Sequence, residues 1–128
     1  VWIDCDVIQA DGGTRCASIT GSFIALLLAM KKLKKDKIID QIPVRDYVAA
    51  ISVGIIDGQN LLDLDYSEDS EADVDLNIIK TGKGGFVEIQ GTAEREPFTD
   101  KQMKAMLALA DKGIKQLITI QKQIIGKW

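Results

Sequence analysis

The pattern of apolar and polar positions predicts two long helices with a group of short strands between them. Over residues 16–35, apolar side chains recur at spacings of three and four, as on one face of a helix. A second helix follows Thr99, which with Gln102 has the spacing of a capping box. Phe98 and Met103 flank this start at the spacing of a hydrophobic staple. The second helix therefore has a well-marked beginning.

The remaining apolar segments have the patterns of strands. Some alternate apolar and polar residues, and one is a continuous apolar run typical of a buried strand. Glycine-containing turns separate them, at Asp57-Gly58 and at residues 81–85. The predicted strands are residues 1–9, 48–56, 61–66, 74–78 and 86–90.

This order predicts an α+β fold in which helices pack on a mainly antiparallel or mixed sheet. The length of 128 residues fits a single domain over residues 1–128. Apolar residues make up 46% and charged residues 27%, which excludes intrinsic disorder. Because the chain opens directly on a strand-like segment, we expect it to be a piece of a longer polypeptide.

Several functional classes are excluded by composition. The absence of histidine excludes Ser-His-Asp and Cys-His catalysis and histidine-metal sites. Two cysteines, Cys5 and Cys16, cannot form a disulfide framework, and both are expected to be small core residues. The longest apolar run, residues 23–30, is shorter than the ~20 residues of a membrane span, so no membrane contact is expected. Lysines between 31 and 37 suit the solvated end of a helix, with RNA contact as the alternative.

The first candidate site lies where the first predicted strand meets the first helix. Gly12, Gly13, Thr14 and Arg15 occupy this junction. The N-terminus of a helix attracts anions, and glycines allow close approach of the backbone. Thr14 adds a hydroxyl, and the guanidinium of Arg15 matches the geometry of phosphate. The pattern indicates an anion site, with an ordinary turn as the alternative.

The second candidate site is an acidic stretch over residues 57–75, which holds eight acidic residues and no Lys or Arg. Carboxylates suit Mg²⁺ or Mn²⁺. Six residues of straight strand span ~20 Å, so Asp69 and Asp75 can share an ion only if residues 67–72 fold back as a loop. The alternative is a solvated acidic face.

Three segments together resemble the ribonuclease PH family. They are residues 2–15 (WIDCDVIQADGGTR), 62–77 (LDLDYSEDSEADVDLN) and 85–94 (GFVEIQGTAE) followed by 96–98. The resemblance covers nearly the whole chain, in order. It implies the α+β fold of ribosomal protein S5 domain 2, and a chain that lacks the N-terminal half of the family's length. That half supplies another phosphate-contacting arginine and part of the RNA path.

The resemblance also implies an activity and a site. Members are phosphorolytic 3′→5′ exoribonucleases (nucleotidyltransferases) that trim tRNA precursors, and also rRNA, and release nucleoside diphosphates. It implies that Gly13, Thr14 and Arg15 bind the co-substrate phosphate. It implies that Asp69 and Asp75 are catalytic and bind Mg²⁺ or Mn²⁺, and it leaves open which of them acts as a general acid. A cytoplasmic homo-oligomer, a hexameric ring built as a trimer of dimers, is expected.

A non-catalytic, RNA-binding ring subunit of the exosome type is the alternative function. The joint presence of Arg15, Asp69 and Asp75 favours the enzyme. Arg95 departs from the family pattern, which commonly has glycine at this position.

Overall fold

The computed structural model describes residues 1–128 and has two long helices, one short helix and a four-stranded sheet. One of the long helices packs on each face of the sheet. In chain order the elements are α1 (Thr14–Lys35), β1 (Val48–Ile56), β2 (Gln59–Leu62), α2 (Tyr66–Glu71), β3 (Val74–Thr81), β4 (Phe86–Ala93) and α3 (Asp100–Ile125).

The strand order is β2-β1-β3-β4, and every neighbouring pair is antiparallel. The α+β prediction is therefore confirmed, and the sheet is antiparallel and not mixed. Short hairpins join β1 to β2 and β3 to β4, and such connections produce antiparallel neighbours. At the first hairpin, Asp57 has φ 49° and Gly58 has φ 73°, the left-handed pair expected of a two-residue Asp-Gly turn.

The main core lies between α3 and the sheet. Alternate residues of β1 point to opposite faces, so Ile51 and Val53 face α3 while Ala50 contacts α1. The predicted cap of α3 is confirmed: the Gln102 amide donates to Thr99 Oγ1 at 3.3 Å, and Gln102 Oε1 accepts from the Thr99 amide at 2.8 Å. The cap fixes where α3 begins, and so which residues form its buried face.

Helix α1 buries Cys16, Phe23, Leu27 and Met30. By length and composition alone it could cross a membrane, although its longest uninterrupted apolar run is short. A core helix of a protein passes the same test, so this single helix is weak evidence for a membrane span.

Four of the five lysines at the end of α1 are exposed, as expected of a solvated helix end, and Lys31 is the exception. Lys32 pairs with Asp36 at 2.6 Å on the surface. Lys31 instead donates through Nζ to the carbonyls of Ile125 and Lys127, at 2.6 and 3.2 Å. This places a cation at the C-terminal end of α3, where the helix dipole favours it.

The predicted first strand is wrong. Residues 1–9 form no strand and lie exposed beside the start of α1. An alternating segment becomes a strand only by pairing, and neither edge strand of this sheet pairs with it. Cys5 is consequently exposed, with its Sγ 3.0 Å from Ser22 Oγ, whereas Cys16 is the core residue expected.

The predicted strand over residues 61–66 is wrong at its C-terminal end. Strand β2 ends at Leu62, Asp63 adopts φ 63°, and Tyr66 already begins α2. The side chain of Asp65 caps this helix, and an N-cap competes with continuation of a strand.

Candidate functional site

The acidic stretch folds back through α2. Asp65 accepts a hydrogen bond from the Glu68 amide at 2.9 Å, and Glu68 Oε2 accepts from the Asp65 amide at 3.0 Å. The bond from the Glu68 amide, with a second from the Ser67 hydroxyl at 2.9 Å, favours the charged carboxylate and lowers the pKa of Asp65. The predicted return of residues 67–72 is confirmed, although by a short helix and not by a loop. It brings Asp69 and Asp75 to one cavity.

The N-terminus of α1 lies against the segment that leads into α2. Gly13 is the N-cap with φ 68°, and it has no side chain with which to cap the first amides. Gly12 packs directly on the backbone of that segment, since a Cβ there would lie 2.3 Å from the Leu64 carbonyl oxygen. Only glycine allows the two backbones to come this close. The contact keeps the start of α1 next to the segment that leads to Asp69 and Asp75.

Two polar residues that were not predicted fix this contact. Asp11 Oδ1 accepts from the amides of Gly12 and Tyr66, at 2.8 and 2.7 Å, and so links the starts of α1 and α2. Ser52 is 2% exposed and accepts from the amides of Asp63 and Leu64, through its carbonyl and its hydroxyl. A lone serine inside the apolar strand β1 was the available signal, because a buried hydroxyl needs a partner.

The two candidate sites form one polar cavity of about 210 Å³. No hydrophobic residue lines it. The lining residues are Asp11, Gly13, Thr14, Arg15, Ser52, Asp69, Asp75 and Asn77. All five predicted site residues thus line this one cavity, so the predicted groups are brought together.

Arg15 is held by a residue of β4. Its Nη2 donates to Glu88 Oε2 at 2.9 Å, and this contact raises the pKa of the guanidinium. The Arg15 side chain remains 47% exposed, so a bound anion can reach it. Glu88 was missed because it lies 73 positions from Arg15 in the sequence. The two residues come together only when β4 pairs with β3.

Asp75 has the most unusual environment of the acidic residues. Burial raises its pKa, and the charges of Asp69 and Glu94 raise it further. Its Oδ1 is buried without a hydrogen-bond partner, while Oδ2 accepts a long bond of 3.5 Å from Asn77 Nδ2. An unpaired buried carboxylate oxygen beside a second carboxylate fits a cation such as Mg²⁺, which often uses one or two carboxylates. No group of three acidic or cysteine side chains converges on a metal position.

Arg95 lies beside a second cavity that shares the same two acids. This cavity has a volume of about 310 Å³ and is also lined by Glu94. Arg95 Nη1 donates to Asp73 Oδ1 at 3.2 Å. Arg95 is therefore anchored at the rim, where it adds a cation near Asp69 and Asp75.

The buried thiol of Cys16 predicts a loss of stability at alkaline pH. Burial raises its pKa from 9.0 to about 12, against the opposing charge of Arg15. Above pH 9 the unfolded chain loses this proton while the folded chain keeps it, so stability falls as pH rises, by up to about 1.4 kcal/mol per pH unit. Denaturant unfolding of wild type and Cys16→Ala at pH 8 to 10 checks this. The difference in free energy of unfolding between the two proteins should shrink as the pH rises. A difference that stays constant with pH would contradict the prediction.

Comparison with known proteins places the chain in a family. Residues 46–113 match the family model described as "3' exoribonuclease family, domain 2". The chain belongs to this family. The matched region includes Asp69, Asp75 and the strands of the sheet.

Curated relatives of this chain are named ribonuclease PH. The protein from Syntrophomonas wolfei is 63% identical over 126 residues, and those from Bacillus cereus and Bacillus anthracis are 58% identical over 127. Each match covers 98% of this chain but 52 to 53% of the relative, so the chain spans about half their length.

The fold of this chain also occurs in a solved structure. The crystal structure of rice Rrp46 superposes with a TM-score of 0.76 over 94% of this chain and 52% of its own. The sequence identity is 15%, so this likeness concerns the fold alone. It confirms the α+β arrangement expected from the resemblance.

Proposed function

We propose that the protein carrying this chain is a phosphorolytic 3′→5′ exoribonuclease, a nucleotidyltransferase that releases nucleoside diphosphates. The observation that carries the proposal is the single polar cavity in which the N-terminus of α1 and Arg15 face Asp69 and Asp75. The relatives named ribonuclease PH, at 58 to 63% identity, support it.

The α1 side of the cavity suits the attacking phosphate. The first amides of α1 and the Arg15 guanidinium are donors, and the helix dipole adds positive potential. The Thr14 hydroxyl also lies at the cavity, where it donates to the Asp11 carbonyl at 2.7 Å and so would have to turn to donate to phosphate. In phosphorolysis, inorganic phosphate attacks the last phosphodiester of an RNA, so two anionic groups must approach each other. Donors fixed before the reaction reduce this repulsion and orient the nucleophile.

The acidic side of the cavity suits the leaving group. Asp69 and Asp75 would hold Mg²⁺ or Mn²⁺, which when bound stabilises the charge that develops on the phosphoryl and leaving oxygens. Alternatively, one of them donates a proton to the leaving 3′ oxygen as a general acid. Burial shifts the pKa of Asp75 in the direction that this role requires, so Asp75 is our choice for it.

The family resemblance supplies the rest of the proposal. We propose tRNA precursors, and also rRNA, as substrates. We propose a cytoplasmic hexameric ring, a trimer of dimers, as the assembly. The alternative is a non-catalytic RNA-binding ring subunit, which does not require hydrogen-bond donors and carboxylates in the same cavity. The presence of Arg15, Asp69 and Asp75 in one cavity favours the enzyme.

Substitution of Arg15 tests the phosphate site. We expect Arg15→Ala to raise the KM for inorganic phosphate roughly tenfold or more, because a hydrogen bond to a charged group contributes about 1.5–3 kcal/mol. The KM for RNA should change much less. The measurement is the initial rate of nucleoside diphosphate release from a tRNA precursor, with Mg²⁺, across a phosphate titration.

Arg45→Ala is the matched control, since Arg45 is exposed and lies outside the cavity. It should leave both constants unchanged. An unchanged KM for phosphate in Arg15→Ala would contradict the assigned phosphate site. Both variants would be made in the intact protein, with any segment that precedes Val1 retained.

A further inference from the structure

A row of side chains leads from the core to the cavity. Cys16, 4% exposed, lies in the small core cluster with Ala50 and Ile79. Its Sγ donates to Asn77 Oδ1 at 2.8 Å, and Asn77 Nδ2 donates to Asp75 Oδ2 at 3.5 Å. Asn77 and Asp75 are two positions apart on β3, so both side chains lie on the face that α1 covers.

The chemistry of the thiol determines which way the amide of Asn77 points. A thiol carries its proton at neutral pH, and burial raises the pKa of Cys16 further, to about 12; Sγ donates this proton to Asn77 Oδ1 at 2.8 Å. A donor requires an acceptor, which places the Oδ1 of Asn77 toward Cys16. The Nδ2 group is then directed toward Asp75, where a carboxylate accepts it.

This arrangement distinguishes the two oxygens of Asp75. Oδ2 accepts from Asn77, whereas Oδ1 is buried and unpaired. The hydrogen bond is long, and bonds within active sites commonly shorten when substrate binds. A neighbouring amide that holds one oxygen fixes the rotation of the carboxylate and leaves the other oxygen available to a ligand.

We propose that Asn77 is a positioning residue that orients the carboxylate of Asp75, and that the Cys16 thiol sets the orientation of the Asn77 amide. The inference rests on the proposed function, in which Asp75 is the functional carboxylate. It assigns a role to a core cysteine and to an asparagine that neither composition nor spacing indicates.

Variants along the row test the proposal in the intact protein. Asn77→Ala should lower kcat about tenfold and change the KM for phosphate less than twofold, as expected for loss of a residue that orients a metal-binding or catalytic group. It should also weaken Mn²⁺ binding, measured by calorimetry without RNA, by about tenfold. Gln90→Ala is the matched control, since Gln90 pairs with Asn77 across the sheet but is exposed.

The cysteine variants separate positioning from packing. Cys16→Ser keeps a donor and should retain most of the kcat, whereas Cys16→Ala removes the donor and should lose about threefold, a smaller effect than that of Asn77→Ala because it acts through one more contact. Equal kcat and Mn²⁺ affinity in the two variants would overturn the role of Cys16. This pair also remains informative if Asn77→Ala fails to fold.

Asp75→Asn in the same assays distinguishes failure of the inference from failure of the proposed function. Loss of activity in Asp75→Asn with wild-type kcat and Mn²⁺ affinity in Asn77→Ala overturns the inference and leaves the function standing. Activity retained by Asp75→Asn overturns the inference together with the role of Asp75, whereas a wild-type protein without phosphate-dependent release of nucleoside diphosphates overturns the proposed function itself.

Discussion

Asp75→Asn is expected to reduce turnover of RNA by on the order of 100-fold or more, while RNA binding changes little. The substitution keeps the shape of the side chain but removes its charge and its capacity as an acid. It should also increase the stability of the fold by about 0.5–1 kcal/mol, since a partly buried carboxylate with an unpaired oxygen is lost. A gain in stability together with a loss of activity is expected where a charge serves function and not folding.

The prediction is checked by measuring single-turnover rates, RNA affinity and thermal unfolding of wild type and Asp75→Asn. Asp57→Asn is the control, because it removes one charge from the same acidic stretch at the β1–β2 turn, where asparagine tolerates the positive φ of 49°. Equal losses of turnover and of RNA binding in Asp75→Asn would count against the assignment of Asp75.

Gly12→Ala is expected to destabilise the fold and to separate the two halves of the cavity. The new Cβ would lie 2.3 Å from the Leu64 carbonyl oxygen and 2.4 Å from the Asp65 carbonyl carbon, so the backbone must move. Overpacking of this kind costs about 1–3 kcal/mol. Because the contact joins the start of α1 to the segment before α2, activity should fall more than stability alone explains.

The measurements are the free energy of unfolding and the phosphate-dependent activity of wild type and Gly12→Ala. Activity is measured at a temperature where both proteins are folded. Gly21→Ala is a matched control within α1, since a Cβ there meets nothing within 4 Å. It should stabilise the helix by up to about 1 kcal/mol and leave activity unchanged. Wild-type activity and stability in Gly12→Ala would contradict the account of the junction.

The elements that local physics determines were predictable from sequence. Helix α3 is marked by its cap at Thr99 and by a long apolar face, and the bounds of β1 coincide with its apolar run. The α2 helix was missed because its six residues carry no buried side chain, so no apolar pattern indicates it. The signal was the capping box of Asp65 and Glu68, which is a local feature.

The site was predictable in its residue types but not in its assembly. The donors at Thr14 and Arg15 and the acids at Asp69 and Asp75 follow from composition, spacing and the family resemblance. Their meeting in one cavity depends on contacts between distant segments, above all the bond from the Tyr66 amide to Asp11. Such contacts are set by the packing of α1 and α2 against the sheet, which no local pattern contains.

The most direct test of the central claim is the identity of the product. The intact protein would be incubated with a tRNA precursor, Mg²⁺ and ³²P-labelled inorganic phosphate, and the released nucleotides separated. The account predicts nucleoside diphosphates that carry the label in their β-phosphate, and no release without phosphate. Release of unlabelled nucleoside monophosphates in the absence of phosphate would contradict it, because water and not phosphate would then be the nucleophile.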